Sequence, residues 1–257
     1  MNPVLYLDKM QLLLKKTFGV TYPVQRICCV LLRRNFTRKV LSIIASRRCA
    51  YERSIFMRVI TVHLNASQLV CIDETRKQSK DCFRLRGRGR RGDRVRMERN
   101  HHWSVWSFSA LGIMSIDGML DCAIHKVRGV TAKMFFDDCV YHVLPLMNPF
   151  PAPRSVILLD NSVLHWCTGL YELFQSNGIL VQHTSAYSYD LMPIEKALSK
   201  AKAVLQRQDN DEIAANPRLA LRRALMSNGP DDAAGYFRSC FGPGYVAEIA
   251  PGIYSGV

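Results

Sequence analysis

A short apolar run that ends in a carboxylate is the feature that most restricts the fold of this chain. Val156–Leu159 is rich in β-branched and aliphatic residues, which is typical of a buried strand, and Asp160 follows it directly. Thirty-four residues separate Asp160 from Glu195, which lies just after Pro193, a residue typical of a helix start. Carboxylates at a strand end and in a first helical turn can lie side by side, where they repel unless a cation lies between them.

A second strand-like run carries a third acid. Leu69–Ile72 is apolar and Asp73 follows it. The next residue, Glu74, would point to the opposite face of a strand, so Asp73 is the favoured ligand. Three acids, two on strand ends and one on a helix, indicate a divalent-metal site for phosphoryl chemistry.

Three motifs resemble those of DDE transposases of the mariner superfamily. They are CIDET (Cys71–Thr75), LLDNSVLH (Leu158–His165) and YSYDLMPIEKAL (Tyr187–Leu198). The spacing between the last two acids also matches that family. The resemblance covers most of the chain and implies an α/β, ribonuclease-H-like fold: a mixed five-stranded sheet with flanking helices, preceded by a small helical segment.

The resemblance also implies the roles of individual residues. Asp73, Asp160 and Glu195 would be the catalytic triad and would hold two Mg²⁺ or Mn²⁺ ions. Asn161 and His165 would lie in a second layer around the site. For His165, packing at a helix start is an equal alternative.

Two of the three acids also have a structural interpretation. Glu195 suits the positive end of a helix, and Asp160 suits a turn after a strand. Asp190 competes with Glu195 for the place of third acid, because it lies in a stretch similar to the family's SPDLNP segment. We favour Asp190 as a loop-capping residue, and the spacing and flanking residues favour Glu195 as the ligand.

The charge of the chain is uneven. The net charge is +14, with 23 Lys and Arg against 7 Asp and Glu in residues 1–100, and 12 against 14 in the remainder. A basic front half indicates a polyanion partner, with a solvated basic surface as the alternative.

An arginine cluster stands out at residues 84–99, with eight arginines and three glycines in sixteen residues. Such a segment cannot bury itself, so a loop or flexible hairpin is expected. It could contact phosphates or serve in nuclear targeting.

Two helical runs open the chain, at residues 2–18 and 24–35, with Gly19 between them. The pair resembles the second helix-turn-helix of the family's two-part DNA-binding region. By that resemblance the first half is absent and the chain begins partway through the region. The candidate DNA-binding residues are Arg26, Arg33, Arg34, Arg84, Arg86, Arg88, Arg90, Arg91 and Arg94.

The order of the predicted elements gives four segments. They are a partial helix-turn-helix at 1–40, a basic helical linker at 41–66, the catalytic domain at 67–208 and a helical accessory tail at 209–257. Within them we expect further strands at 103–113, 119–127 and 179–182, and helices at 132–147, 163–176, 193–208 and 217–226.

Other classes of protein find little support. The nine cysteines include no CxxC pair or zinc-binding spacing. No apolar run reaches the roughly 18 residues that a membrane span needs.

Two functions remain. The first is a transposase-like endonuclease and strand transferase, located in the nucleus, that acts on double-stranded DNA at transposon ends and targets, as a monomer or a homodimer. The second is a decayed or domesticated relic that only binds DNA. The relic hypothesis rests on the segment SAYSYDLMP (Ser185–Pro193), which departs from the family's PPYSPDLNP.

Overall fold

The computed structural model describes residues 5–39, 45–82, 87–96, 106–208 and 210–246, with only the backbone of residues 210 and 211. The chain divides into two compact units, one before Ala45 and the other from Ala45 onward. Each unit is described by itself. The four-segment division of the sequence stays a prediction.

The first unit contains two helices, α1 (Leu7–Phe18) and α2 (Val24–Arg33). Gly19 ends α1 in the left-handed conformation, with φ of 72°, which glycine adopts without steric cost. Gln11 ties α1 to the connection, because its Nε2 donates to the Tyr22 carbonyl at 2.6 Å. The N-terminal helices are therefore present.

A five-stranded mixed sheet forms the centre of the second unit. Its strands are β1 (Leu69–Gln78), β2 (Ser107–Ser115), β3 (Gly118–His125), β4 (Val156–Leu159) and β5 (Leu180–His183). Their order across the sheet is β3-β2-β1-β4-β5. The first three strands pair antiparallel, whereas β4 and β5 join β1 in parallel. The carboxyl ends of β1 and β4 therefore lie at the same edge of the sheet.

Helices cover both faces of this sheet. In chain order they are α3 (Ala50–Arg58), α4 (Ala132–Asp138), α5 (Leu170–Ser176), α6 (Pro193–Leu205), α7 (Asn210–Ala215), α8 (Pro217–Met226) and α9 (Pro230–Phe241). The side chains of α6, α8 and α9 share one hydrophobic cluster, and those of α4 and α5 share the other.

Strand β1 alternates between the two clusters. Leu69 and Cys71 pack on the α6 side, whereas Val70 and Ile72 pack on the α4 side. This alternation follows from the pleat of a strand. It assigns the residues that come after the apolar run to one face or the other.

Two helices predicted as continuous are interrupted. The run predicted at 132–147 is α-helical only to Asp138, then widens to a π-helical turn at Cys139–Val143 and tightens at Leu144–Leu146. Pro145 has no N–H to continue the ladder. The run at 163–176 divides into a 3-10 turn, Val163–Trp166, and α5, because Gly169 takes φ of 82° between them.

Other predicted bounds shift or fall outside the described residues. Strand β2 begins at Ser107 rather than 103, and residues 103–105 are outside. The linker predicted as helical is irregular at 45–49 before α3 begins. Of the arginine cluster, residues 87–96 are exposed and irregular, which agrees with the expected loop.

None of the helices among the described residues is both long and apolar enough to cross a membrane.

The packing of α8 on the sheet gives a stability prediction. Leu221 is fully buried in the α6-side cluster, so Leu221→Ala should lower the free energy of unfolding by about 2–5 kcal/mol. Leu219, on the same helix, is largely exposed, and Leu219→Ala should change it by only about 0.5 kcal/mol. Urea unfolding measures both. Equal effects of the two variants would contradict the packing of α8.

Candidate active site

Asp73 lies at the end of the apolar part of β1, on the face that α6 covers. Its partner across the antiparallel pair is Gly112 on β2. A Cβ at Gly112 would lie 3.3 Å from Ile194 Cδ1 and 3.6 Å from Leu198 Cδ2, both on α6. Glycine at this position therefore lets α6 approach the sheet closely beside Asp73.

Glu195 lies in the first turn of α6. Pro193 occupies the first position of the helix, and Ile194 and Leu198 are buried in the cluster below. These anchors hold the start of α6 against β1, with Glu195 half-buried beside them. Strand end and helix start thus bring Asp73 and Glu195 into one region.

The three acids influence one another electrostatically. Burial, followed by the charges of Glu195, Glu74 and Asp160, raises the pKa of Asp73 to about 8. Burial and the charge of Asp160 also raise the pKa of Glu195 above its usual value. The three predicted acids are therefore close enough for their charges to act on one another.

One carboxylate oxygen of Asp160 contacts both a backbone N–H and a histidine ring. Its Oδ1 accepts hydrogen bonds from the Ser162 N–H at 3.0 Å and lies 2.7 Å from His165 Nδ1. On its other side, His165 Nε2 lies 3.0 Å from Glu74 Oε1. His165 is therefore held between a carboxylate from β1 and a carboxylate at the end of β4.

This histidine is fully buried, with 0% of its side chain exposed. Burial opposes its charge, but the hydrogen bonds to Asp160 and Glu74 outweigh that effect and raise the pKa of His165 to about 10. The pKa of Asp160 is lowered: its burial acts in the opposite direction, and the His165 contact outweighs it. At neutral pH an imidazolium thus lies between two carboxylates.

An aromatic stack adjoins Asp160. His183, the last residue of β5, places Nδ1 3.1 Å from the Asp160 carbonyl oxygen. Trp166 stacks on the His183 ring at 4.6 Å between centroids, and its Nε1 donates to Asn161 Oδ1 at 3.2 Å. Tyr171 hydrogen-bonds His183 through its hydroxyl group. Asn161 thus orients Trp166, which is 56% exposed.

Asp190, the competitor of Glu195 for the place of third acid, has two cationic partners. Arg53 binds both of its carboxylate oxygens, at 2.9 and 2.8 Å, and Arg48 binds Oδ2 at 2.9 Å. Asp190 therefore links the turn before α6 to the segment that contains α3. Among the described residues, neither Asp73 nor Glu195 forms an ion pair.

The candidate DNA-binding arginines are surface residues where they are described. Arg26 lies over the Tyr22 ring at 5.8 Å, and Arg33 and Arg34 end α2. Arg84 and Arg86 lie outside the described residues. The exposed members of the arginine cluster are Arg88, Arg90, Arg91 and Arg94.

The donor set fits a hard divalent cation in its chemistry, since Asp73, Glu195 and Asp160 all offer carboxylate oxygens, and Oδ2 of Asp160 has no hydrogen bond to another described residue. Yet no three His, Cys, Asp or Glu side chains in the described part of the chain converge closely enough to hold an ion as they stand. The acids are near one another, and Asp160 is turned toward His165.

Five residues near the site were not identified from the sequence. They are Glu74 as the partner of His165, the stacked residues His183, Trp166 and Tyr171, and Lys77, a buried lysine of β1 whose charge acts on Glu195. His183 alone carried a signal, because it ends a strand parallel to β4 and so shares its edge.

The sheet order and the acidic edge define a ribonuclease-H-like domain with a candidate phosphoryl-transfer site. In solved structures, a Mos1 mariner paired-end complex with Mn has the same fold, with a TM-score of 0.62, 13% identity and coverage of 94% of this chain and 77% of that one. A pre-cleavage Mos1 transpososome gives a TM-score of 0.61 at 16% identity, covering 95% and 77%. A Mos1 strand transfer complex gives 0.60 at 17%, covering 94% and 76%.

The sequence model of the DDE superfamily endonucleases matches residues 68–214. The chain therefore belongs to the DDE superfamily of endonucleases. A comparison with curated proteins finds no match. The resemblance to mariner-type DDE transposases and the predicted ribonuclease-H-like fold are confirmed, whereas the roles of individual site residues stay predictions.

The raised pKa of Asp73 makes a pH dependence measurable. An unfolded aspartate ionises near pH 4 and the folded one near 8, so between these values unfolding releases a proton and stability falls as pH rises. In Asp73→Asn, the fall in the free energy of unfolding between pH 5 and 8 should be smaller than in the parent, by up to about 1.4 kcal/mol per pH unit. Urea unfolding in EDTA measures it.

Asp137→Asn is the matched control. Asp137 lies on α4 and pairs with exposed Lys133, away from the three acids. Its pH profile should follow that of the parent. Parallel profiles for the parent and Asp73→Asn would show that Asp73 is not held in a repulsive site.

Proposed function

We propose that this chain is a metal-dependent DNA endonuclease and strand transferase of the transposase type. The observation that carries the proposal is the grouping of Asp73, Asp160 and Glu195 at one edge of the sheet, with Asp73 and Glu195 lacking an ion pair among the described residues. A carboxylate with a pKa near 8 is a poor structural element without a cation. It is a suitable ligand for one.

Mg²⁺ or Mn²⁺, when bound, supplies a Lewis acid that activates water and neutralises developing charge on phosphate oxygens. Asp73, Glu195 and Asp160 would hold the ions. Two ions per site are expected, because the resemblance to DDE transposases implies them. Mos1 complexes are named with Mn and with Mg, which supports divalent metals for this chain also.

Residues of this chain would position the acids. The imidazolium of His165 holds Oδ1 of Asp160, while Glu74 fixes the other ring nitrogen. Oδ2 of Asp160 then has no hydrogen-bond partner in the part of the chain that the structure describes. Asn161 would act through Trp166, which stacks on His183, the residue that contacts the Asp160 carbonyl. His165 and Asn161 are thus positioning residues in this proposal.

DNA is the proposed substrate. The basic front half, the exposed arginines at 88–94 and the arginines of α2 would contact phosphates without reading sequence. The helix pair α1–α2 would act as a helix-turn-helix. One Mos1 structure is a paired-end complex with a left transposon end, and by analogy this chain would act at such ends, as a homodimer, in the nucleus.

A DNA-binding relic without cleavage is the second candidate. Asp160 is already engaged by His165, and no described group of three side chains converges on an ion. Binding would then rest on the arginines alone. Activity measurements on the parent separate the two candidates.

The first test is Asp160→Asn with supercoiled plasmid DNA and Mn²⁺. Loss of a residue that supports a metal ligand lowers activity by up to about 100-fold. Asp160 would be a ligand itself, so nicking should fall by at least that factor. DNA affinity, measured by fluorescence anisotropy, should stay within about twofold. Asp137→Asn controls for the loss of a surface carboxylate.

Nicking that is equal in the parent and Asp160→Asn would place the activity elsewhere or in a contaminant. A folded parent that binds DNA and never nicks it would favour the relic.

Glu195→Gln and Asp190→Asn identify the third acid. Glu195→Gln should abolish nicking. Asp190→Asn should keep it, because its carboxylate is occupied by Arg48 and Arg53, and should lower the free energy of unfolding by about 1 kcal/mol. The reverse pattern of nicking would assign the role to Asp190.

A further inference from the structure

Lys77 lies on β1, four residues after Asp73 and on the same face. Leu69 and Cys71 establish that face as the α6 side, and the pleat continues through Asp73 and Thr75 to Lys77. Strand β1 therefore carries an acid and then a lysine along the surface that α6 covers.

Helix α6 carries a matching pair. Glu195 and Lys202 are seven residues apart, which is two helical turns, so they lie on one stripe of the helix. The charges of both residues act on Lys77, and Lys77 in turn acts on Glu195. Both β1 and α6 therefore lead from an acid to a lysine, and the two elements run in the same direction.

Lys77 is buried, with 9% of its surface exposed. No described residue places an acceptor within hydrogen-bond or ion-pair distance of its ammonium group. Asp81 acts on it only at longer range, and the Asp81 Oδ2 already accepts from the Gln78 N–H at 2.9 Å. Burial lowers the pKa of Lys77, with Lys202 adding repulsion.

An unpaired buried ammonium next to a second lysine is unfavourable by itself. Lysines with flexible stems can extend toward an anion at the surface. Lys202 is exposed and marks the open side of this position. The missing partner is therefore an anion that arrives from outside, beside the acid cluster.

We infer that Lys77 and Lys202 form a subsite for a DNA backbone phosphodiester next to the one that faces Asp73, Asp160 and Glu195. The position of this subsite relative to the acids rests on the proposed function. The phosphate contact itself depends only on DNA binding, whether or not the DNA is cleaved. A strand whose scissile phosphate lies at the acids would carry a neighbouring phosphate to the two lysines.

The test is the salt dependence of binding to a fluorescein-labelled DNA duplex, by anisotropy in Ca²⁺. Each phosphate contact contributes about 0.9 to the slope of log affinity against log salt. Lys77→Met should reduce the magnitude of this negative slope by about one, and Lys202→Met should reduce it by the same amount. Lys133→Met, at an exposed lysine paired with Asp137, should leave the slope unchanged.

Thermal melting without DNA separates a ligand contact from a structural role. Lys77→Met should melt at the same temperature as the parent or higher, because it removes an unpaired buried charge. A structural role predicts a lower melting temperature. If Lys77→Met fails to fold, or if Lys202→Met leaves the slope unchanged, the subsite is overturned.

Nicking in Mn²⁺ is recorded on the same samples. Slope changes without any nicking by the parent support the subsite and refute the nuclease. Nicking by the parent with unchanged slopes in both lysine variants overturns the subsite alone. A parent that binds no DNA overturns both.

Discussion

Repulsion among carboxylates is the constraint on which this domain depends. Asp73, Asp160 and Glu195 lie at one edge of the sheet, and burial makes their charges more costly there. The surrounding structure opposes their separation: β1 and β4 pair in parallel, and Gly112 lets α6 approach within contact distance of the sheet. The apolar packing of the two cores therefore holds an arrangement that the acids alone would disperse.

His165 relieves this repulsion for one acid and not for the others. It lies between Glu74 and Asp160, so the α4-side face of the site contains its own cation. On the α6 side, Asp73 and Glu195 have no equivalent partner among the described residues. The difference gives Asp160 a lowered pKa and Asp73 a raised one. The demand for an external cation is therefore concentrated on the α6 side.

The sequence was sufficient where a signal is local. Apolar runs followed by acids located β1 and β4, and proline located the start of α6. The pleat of β1 was the reason to favour Asp73 over Glu74 as a ligand, and that choice stays a prediction. The sequence could not show that Glu74 contacts His165, because the two residues are 91 positions apart in the chain. Nor could it show that Arg48 and Arg53 neutralise Asp190, a contact that only the folded chain creates. Local periodicity likewise missed the break at Gly169, since helical spacing persists across it.

Among the described residues, Asp73 and Glu195 at one end of the facing sides of β1 and α6, and Lys77 at the other, have no ion-pair partner. In the proposed arrangement the acids would bind cations, and Lys77 and Lys202 would bind an anion. Free ions of each kind could satisfy the two ends separately. In the proposed complex, a nucleic-acid strand with its divalent counterions would satisfy both at once, because Asp73, Asp160 and Glu195 would hold the cations and the two lysines would contact a phosphate of the strand. Binding would then remove two opposite electrostatic penalties together, so metal affinity and DNA affinity should reinforce each other, as linkage requires of two ligands that stabilise one state.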